Sequence, residues 1–437
     1  MLPAKSLPVP MPREWRELLE ELAPVFARRS TFRLFTALAC GMILADRSTV
    51  VAMAAAAGIG QDWRRACWFF AAAAWDLDAL GLAVARLVVK YLLSEHDPVT
   101  VAIDGTFFRR WGRHVAEARW AYDGAAQGGK KIAFGNTWVV AALVVKLSFC
   151  PSPVALPVLF RLWRGKGTAS QVRLAAELLE LLAKAFPGRA VHGTGDAAFH
   201  GEALAVKGTT WTTRLPASAV LHGPKPPPTG KRGRPRAKGD RIGGCKDAAA
   251  TLTWEDTVIH VYGKDQRAQL ASCPALWYGS FKSAPGQLIL MREPDSEKPY
   301  DLGIFTLDTT LAPAQAIERY SWRWPIEPSN AAGKQVLGVG DARNRVEKAV
   351  ERTVPFGFLV QTLLITWYAR SASDPADIER RRRDCPWYLT KTAPSAADMA
   401  ARLRRDLHDA RIPDNRPRQG QPGQIGDHSV TCDTIAA

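Results

Sequence analysis

From Glu14 to Leu93 the apolar residues recur every three to four positions, in segments broken at Arg29-Ser30, at Ser48 and at Gly58-Ile59-Gly60. That spacing predicts a bundle of about five helices with no strand among them. Within it, Ser48 to Ala57 and Asp62 to Ala74 could form a helix-turn-helix whose second helix opens Asp62-Trp63-Arg64-Arg65. Two packed helices of a bundle fit the same pattern. At Val99 the period changes. Val99 to Ile103, Thr137 to Leu147 and Val154 to Leu162 are β-branched, apolar runs and predict strands. A helix follows from Ser170 to Phe186, then a strand near Arg189 to Thr194 and a helix after Gly201. Strands alternating with helices predict an α/β (α+β) layer structure with a mixed sheet.

From Trp211 to Leu311 the pattern is strand-rich, at Thr257 to Tyr262, Ala268 to Trp277, Gln287 to Met291 and Asp301 to Thr306, and reads as a β-rich insertion. Helical periodicity returns from Pro313 to Arg370. The expected organisation is a helical DNA-binding domain over 1–97, the first part of an α/β core over 98–210, the insertion over 211–311, the second part of the core over 312–372, and a basic, partly disordered tail over 373–437 with one short helix near Ala396 to Leu407.

Charge narrows the function. Lys and Arg number 58 against 42 Asp and Glu, a net charge of +16, which points to a polyanionic partner. Residues His222 to Asp240 hold too many prolines, glycines and charges to pack, so they predict an exposed linker. Arg232-Gly233-Arg234-Pro235 inside it has the form of a clamp that inserts arginines into the narrow minor groove of A·T-rich DNA; a solvated basic linker is the alternative. The seven cysteines are scattered singly, which indicates neither a disulfide framework nor a zinc site. Glu14, Glu17, Glu20 and Glu21 interrupt any export signal, and Asp76, Asp78, Arg86 and Lys90 interrupt the most apolar stretch. A cytoplasmic, nucleoid-associated bacterial protein without a membrane partner is the expectation.

Asp104 follows Val99 to Ile103, and Asp196 follows Val191-His-Gly-Thr-Gly195. Both aspartates are therefore expected at the C-terminal ends of strands, where open α/β sheets place their chemistry. Two carboxylates on neighbouring strand ends repel unless a divalent cation lies between them, although one such aspartate alone is as ordinary as a helix cap. A third element adds Tyr320, Arg323, Glu327 and Lys334, which share one face if the helix is continuous. Pro325 and Pro328 complicate that geometry, and a helix beginning near Pro325 would leave Tyr320 and Arg323 on the preceding turn. A carboxylate flanked by a guanidinium, an ammonium and a phenol suits phosphodiester chemistry.

The order Asp104, Asp196, then Tyr-x2-Arg-x3-Glu-x6-Lys resembles the signature of insertion-sequence transposases with a DDE triad in a ribonuclease-H-like core, in the group with a Y-R-E-K motif and a β insertion before the glutamate. The resemblance spans roughly Val99 to Arg370. It implies that Asp104, Asp196 and Glu327 are catalytic and hold two Mg²⁺ ions, with Mn²⁺ able to substitute. It implies phosphate contacts by Tyr320, Arg323 and Lys334, and base stacking by Trp322 and Trp324, which could equally be packing residues. The implied activity is cleavage at transposon ends and strand transfer through a hairpin intermediate, by a homodimer on paired terminal repeats and target duplex DNA. Gly105, where the family usually has a polar residue, and Pro328 depart from its pattern.

Lys130 and Lys131 in a glycine-rich loop, Arg161, Arg164 and Lys166 after a strand, and the run Arg380 to Arg383 could each contact phosphate or be plain solvated charge. His192 and His200 flank Asp196 as local structural or DNA-facing groups. Two other activities stay open at this point, a metal-dependent nuclease that does not rejoin strands and a non-catalytic DNA-binding repressor.

Overall fold

The computed structural model describes residues 9–124, 126, 131–227, 235–388 and 390–411. The chain opens with five α-helices, α1 (Arg13–Glu20), α2 (Arg29–Leu44), α3 (Val50–Ala56), α4 (Trp63–Ala71) and α5 (Leu77–Leu92). Two of them begin at side-chain caps. Thr49 accepts the Ala52 N–H at 3.2 Å to start α3, and Asp76 accepts the Ala79 N–H at 2.7 Å to start α5. Arg29, expected to break a helix, is instead the first residue of α2.

The sheet follows with β1 (Val99–Arg109), β2 (Arg119–Tyr122), β3 (Ile132–Val145) and β4 (Val154–Trp163), then α6 (Gln171–Ala185), β5 (Val191–Gly195) and β6 (Thr209–Arg214). Ser170 caps α6 through the Arg173 N–H. Strands β5 and β6 run parallel to β1, β3 runs antiparallel to β1, and β4 runs antiparallel to β3, in the order β4-β3-β1-β5-β6. This mixed α/β sheet is consistent with a ribonuclease-H-like core. A helix expected after Gly201 is only a single turn at Glu202–Leu204.

The next part adds a two-stranded ribbon of β7 (Leu221–His222) and β8 (Arg241–Gly243), then α7 (Cys245–Thr251), β9 (Glu255–Val261), β10 (Lys264–Ala275), α8 (Tyr278–Phe281), β11 (Gly286–Arg292) and β12 (Leu302–Thr306). β6 runs across residues 210 and 211, where the insertion was expected to begin, and β12 pairs with β6 in antiparallel register, Phe305 opposite Thr213. The added strands therefore extend the core sheet, making one sheet of ten strands.

The chain closes with α9 (Pro313–Ser321), α10 (Ile326–Val336), α11 (Glu347–Trp367), α12 (Ala376–Asp384) and α13 (Ala396–Asp409). Nearly every side chain of α11 from Ala349 onward is buried, and Phe358 stacks on Phe160 of β4 with centroids 5.8 Å apart. Arg161, next along β4, points to the opposite face and meets Glu177 of α6 at 3.6 Å. The segment expected as a basic tail with one helix carries two. Asp377 of α12 is buried among Tyr368, Arg380, Arg402 and Arg405, so the charges there are mutually neutralised and packed. Residues 412–437, the rest of that expected tail, lie outside the described residues.

Candidate active site

The register of β1 against β5 brings the two aspartates together. The parallel ladder ends at Ile103 opposite Gly195, so Asp104 and Asp196 are the next residues on both strands. Asp104 does not end its strand, as the sequence pattern suggested. On its other side β1 stays paired with β3 through Arg109, with Asp104 opposite Val140, because that antiparallel partner outlasts β5. Asp196 does leave its strand. Its Oδ1 accepts the Ala198 N–H at 2.9 Å, and its carbonyl accepts from the Thr213 hydroxyl at 2.7 Å, which fixes the turn.

Glu327 arrives from the far side of the chain. The helix through the third motif is not continuous: α9 ends at Ser321 and α10 starts at Ile326 behind Pro325. Glu327 is in the first turn of α10, where the orphan N–H groups favour an acid, and Pro328 falls where its missing N–H costs no ladder bond. Arg323 sits on the connecting turn and meets Glu327 Oε1 at 2.9 Å.

Electrostatics connect the acids. Burial pushes the Asp104 carboxyl up to about 6, and the charges of Asp196 and Glu327 push in the same direction, against the Gly105 N–H and Arg323. Burial works against the charge of Arg323, yet Tyr320, Glu327 and Asp104 outweigh it and raise its pKa. Tyr320 is buried at the end of α9 and shares a hydrogen bond with Arg323; burial raises its phenol pKa. Lys334 donates to the Phe107 carbonyl at 3.0 Å and lies over the Phe108 ring, with burial lowering its pKa while Asp123 and Asp104 oppose that shift. Asp104, Asp196, Tyr320, Arg323, Glu327 and Lys334 thus lie within range of one another's charge.

The remaining expected contacts divide. Trp322 packs against the core with the Lys146 ammonium 4.9 Å from its ring, whereas Trp324 is exposed, edge-on to Tyr262. Lys131 stands exposed beyond the end of the pairing between β1 and β3, away from the acids. Lys130, Arg232 and Arg234 lie outside the described residues. Arg161 bonds both oxygens of Asp78, at 2.7 and 2.8 Å, and Arg164 is shared by Glu117, Glu347 and Glu351, so internal carboxylates occupy both side chains. In the arginine run, Arg380 and Arg382 pair with Asp377 and Glu379. His192 bonds the Thr210 hydroxyl at 2.6 Å, and His200 bonds Ser280 and stacks on Trp277. Sequence reasoning passed over Arg214, whose charge reaches Tyr320. It ends β6, the third parallel strand, and the strand-end rule that singled out the aspartates would have found it.

Residues 21–282 match the family described as DDE superfamily endonuclease. The chain belongs to that family. The match covers the strands bearing Asp104 and Asp196, while Glu327 lies C-terminal to it. No curated protein matches the chain. Endonucleases of this superfamily act on DNA and use divalent metal ions. The donor chemistry here fits such an ion: three carboxylates offer hard oxygen ligands, and the repulsion from Asp196 and Glu327, which adds to burial in raising the Asp104 pKa, would be relieved by a cation. Among the described residues no three acid, histidine or cysteine side chains are gathered closely enough to form a ready-made metal cluster. Arg323 holds an oxygen of the third carboxylate, Glu327 Oε1, at 2.9 Å. No helix among the described residues is long and apolar enough to cross a membrane.

Proposed function

We propose that this DDE endonuclease is an insertion-sequence transposase of the Y-R-E-K group, which cuts double-stranded DNA at the terminal repeats of its element and joins the freed ends to target DNA. The single observation that carries the reading is the convergence of the third motif on the aspartate pair: Arg323 and Glu327 both bear on the charge of Asp104, across more than two hundred residues of chain.

In this reading Asp104, Asp196 and Glu327 hold two Mg²⁺ ions, which Mn²⁺ can replace. Bound there, the ions would supply activation of the attacking water or 3′-hydroxyl and stabilisation of the leaving oxygen. The protein's own groups position the strand. Arg323, with its planar fork, takes a phosphate oxygen beside Glu327, and Lys334 holds positive charge near Asp104 while tied to the Phe107 carbonyl. The Tyr320 hydroxyl orients Arg323. Exposed Trp324 is available to stack on a base unpaired at the element's end, as a hairpin intermediate would require. Two protomers on paired ends complete the reaction.

The test is a Mg²⁺-dependent excision and strand-transfer assay on a plasmid carrying the element's own ends, comparing wild type with Glu327→Gln. Excised and joined products from wild type alone are expected. Nicking without joined products would leave a nuclease. Equal activity from both proteins would remove Glu327 from the site, and specific end binding without cleavage by either would indicate a repressor.

A further inference from the structure

Two elements lead away from the acids to one place. β1 runs on from Asp104 to Arg109, about 17 Å at the rise of an extended strand, and Trp111 follows two residues later. α10 runs from Glu327 to Val336, roughly 14 Å, and continues into the loop at 337–346. Between them lies an open cleft of about 740 Å³, lined by Arg47, Arg109, Trp111, Asp341, Arg343 and Arg345 among others.

The cleft is built rather than incidental. Arg110 is buried beneath it. Its Nε donates to Asn136 Oδ1 at 2.9 Å and its Nη1 to the carbonyls of Gly340 and Ala342 at 2.9 and 3.0 Å, which clamps the loop onto the end of β1. Ser48 fixes the other wall, donating its hydroxyl hydrogen to the Leu337 carbonyl at 2.5 Å and its N–H to Asp341 Oδ2 at 3.3 Å. The clamped loop presents Arg343 and Arg345 to solvent, facing Arg47. Arg109 is neutralised by Asp123 at 2.6 Å, but Arg47, Arg343 and Arg345 have no carboxylate within ion-pair distance among the described residues. This contrasts with Arg161 and Arg164, which internal acids occupy. Trp111 is 87% exposed on the rim.

Three guanidinium groups without a carboxylate at ion-pair distance line one cleft beside an exposed indole, a surface complementary to a row of phosphates. We propose that this cleft binds the duplex DNA flanking the cut, about five base pairs from the acids at the rise of B-form DNA, with Arg47, Arg343 and Arg345 on backbone phosphates and Trp111 against a sugar. The proposal rests on the reading of the acids as the cutting site.

The experiment is a salt titration of binding, by fluorescence anisotropy, of the full chain to a labelled 30-base-pair DNA duplex without divalent metal. Each phosphate contact contributes about 0.9 to the slope of log affinity against log salt. Arg343→Ala/Arg345→Ala should lower the slope by about 2 and weaken binding by about tenfold or more at 100 mM salt. Arg343→Lys/Arg345→Lys should keep the slope, which separates lost charge from a collapsed loop. An unchanged slope in the alanine variant overturns the proposal, as does tighter binding of an RNA duplex of the same sequence. Cleavage in Mg²⁺ of a plasmid carrying the element's own ends is scored in parallel. A wild type that cuts nothing while the alanine variant loses slope defeats the active-site reading and the placement of the cleft beside a cut, but not its binding of DNA. A wild type that cuts while the slope stays put defeats the cleft alone.

Discussion

Arg323 and Glu327 are four residues apart, yet they meet at 2.9 Å across the break between α9 and α10 rather than along one helix. The glutamate is half-exposed and the arginine mostly covered, so the pair contributes little to folding. In the proposed reading its effect falls on chemistry, because the charges of Asp104 and Tyr320 also act on Arg323. Arg323→Ala should therefore reduce DNA cleavage by about a hundredfold while changing stability by about 1 kcal/mol or less. Urea denaturation alongside a single-turnover cleavage assay checks this. A loss of stability that accounts for the loss of activity would contradict it.

Asp104 makes the site pH-dependent. Its carboxyl is pushed up to about 6 from an ordinary 3.8, so between those values the folded protein binds a proton that the unfolded chain has released. Stability therefore falls as pH rises through that window, and the deficit above it is at most about 3 kcal/mol. Asp104→Asn removes the charge. Without metal, the variant should melt several degrees above wild type at pH 7.5 and together with it below pH 4. Mg²⁺ should raise the melting temperature of wild type at pH 7.5 and leave the variant almost unmoved. A constant difference at all pH values would show that the substitution acts through packing instead.

Much of this was legible in the sequence. The switch from helical to alternating period at Val99 marked the start of the sheet, and the strands around Thr257, Ala268, Gln287 and Asp301 lie close to β9, β10, β11 and β12. Local patterning could not show which strands pair. Nothing in Thr209 to Arg214 indicates that β12 joins it, since that pairing depends on chain nearly a hundred residues away. The extension of β1 past Asp104 was hidden for the same reason: it depends on β3, which stays paired with β1 through Arg109. Charge counts could not decide between the two readings left open for Arg161, Arg164 and Arg380 to Arg383, phosphate contact or solvated charge, because several of them meet acids, some brought in by other elements.

Gly195 supports Asp196 through its lack of a side chain. A Cβ there would stand 2.8 Å from Trp211 Cζ2 and 2.9 Å from the Phe199 Cβ. Trp211 cannot yield, because it is fully buried and its Nε1 donates to the Phe199 carbonyl at 3.0 Å. Gly195→Ala should cost about 1–3 kcal/mol and shift Asp196 enough to lower cleavage more than tenfold. Gly279, where a Cβ would meet nothing within 4 Å, provides the control. Gly279→Ala should stay within about 0.5 kcal/mol of wild type in chemical denaturation and retain cleavage. Full activity in Gly195→Ala would show that Asp196 tolerates displacement.

Arg352 joins the N-terminal helices to the core. It projects from α11, its guanidinium donating to the carbonyls of Phe69, Phe70, Ala73 and Trp75 around the C-terminus of α4, and it stacks 4.2 Å above the Trp75 ring. These carbonyls have few other partners because they end a helix, and the α11 interface excludes water from them. Arg352→Ala removes one buried cation and leaves several acceptors unsatisfied, so it should cost about 2–4 kcal/mol. Arg352→Lys should recover only part of this, since one ammonium cannot span the fan of carbonyls. Hydrogen exchange locates the effect: protection should fall in α4 and α5 while the amides of β1 and β5 keep theirs. Uniform loss across the sheet would mean that the helices and the sheet unfold as one unit.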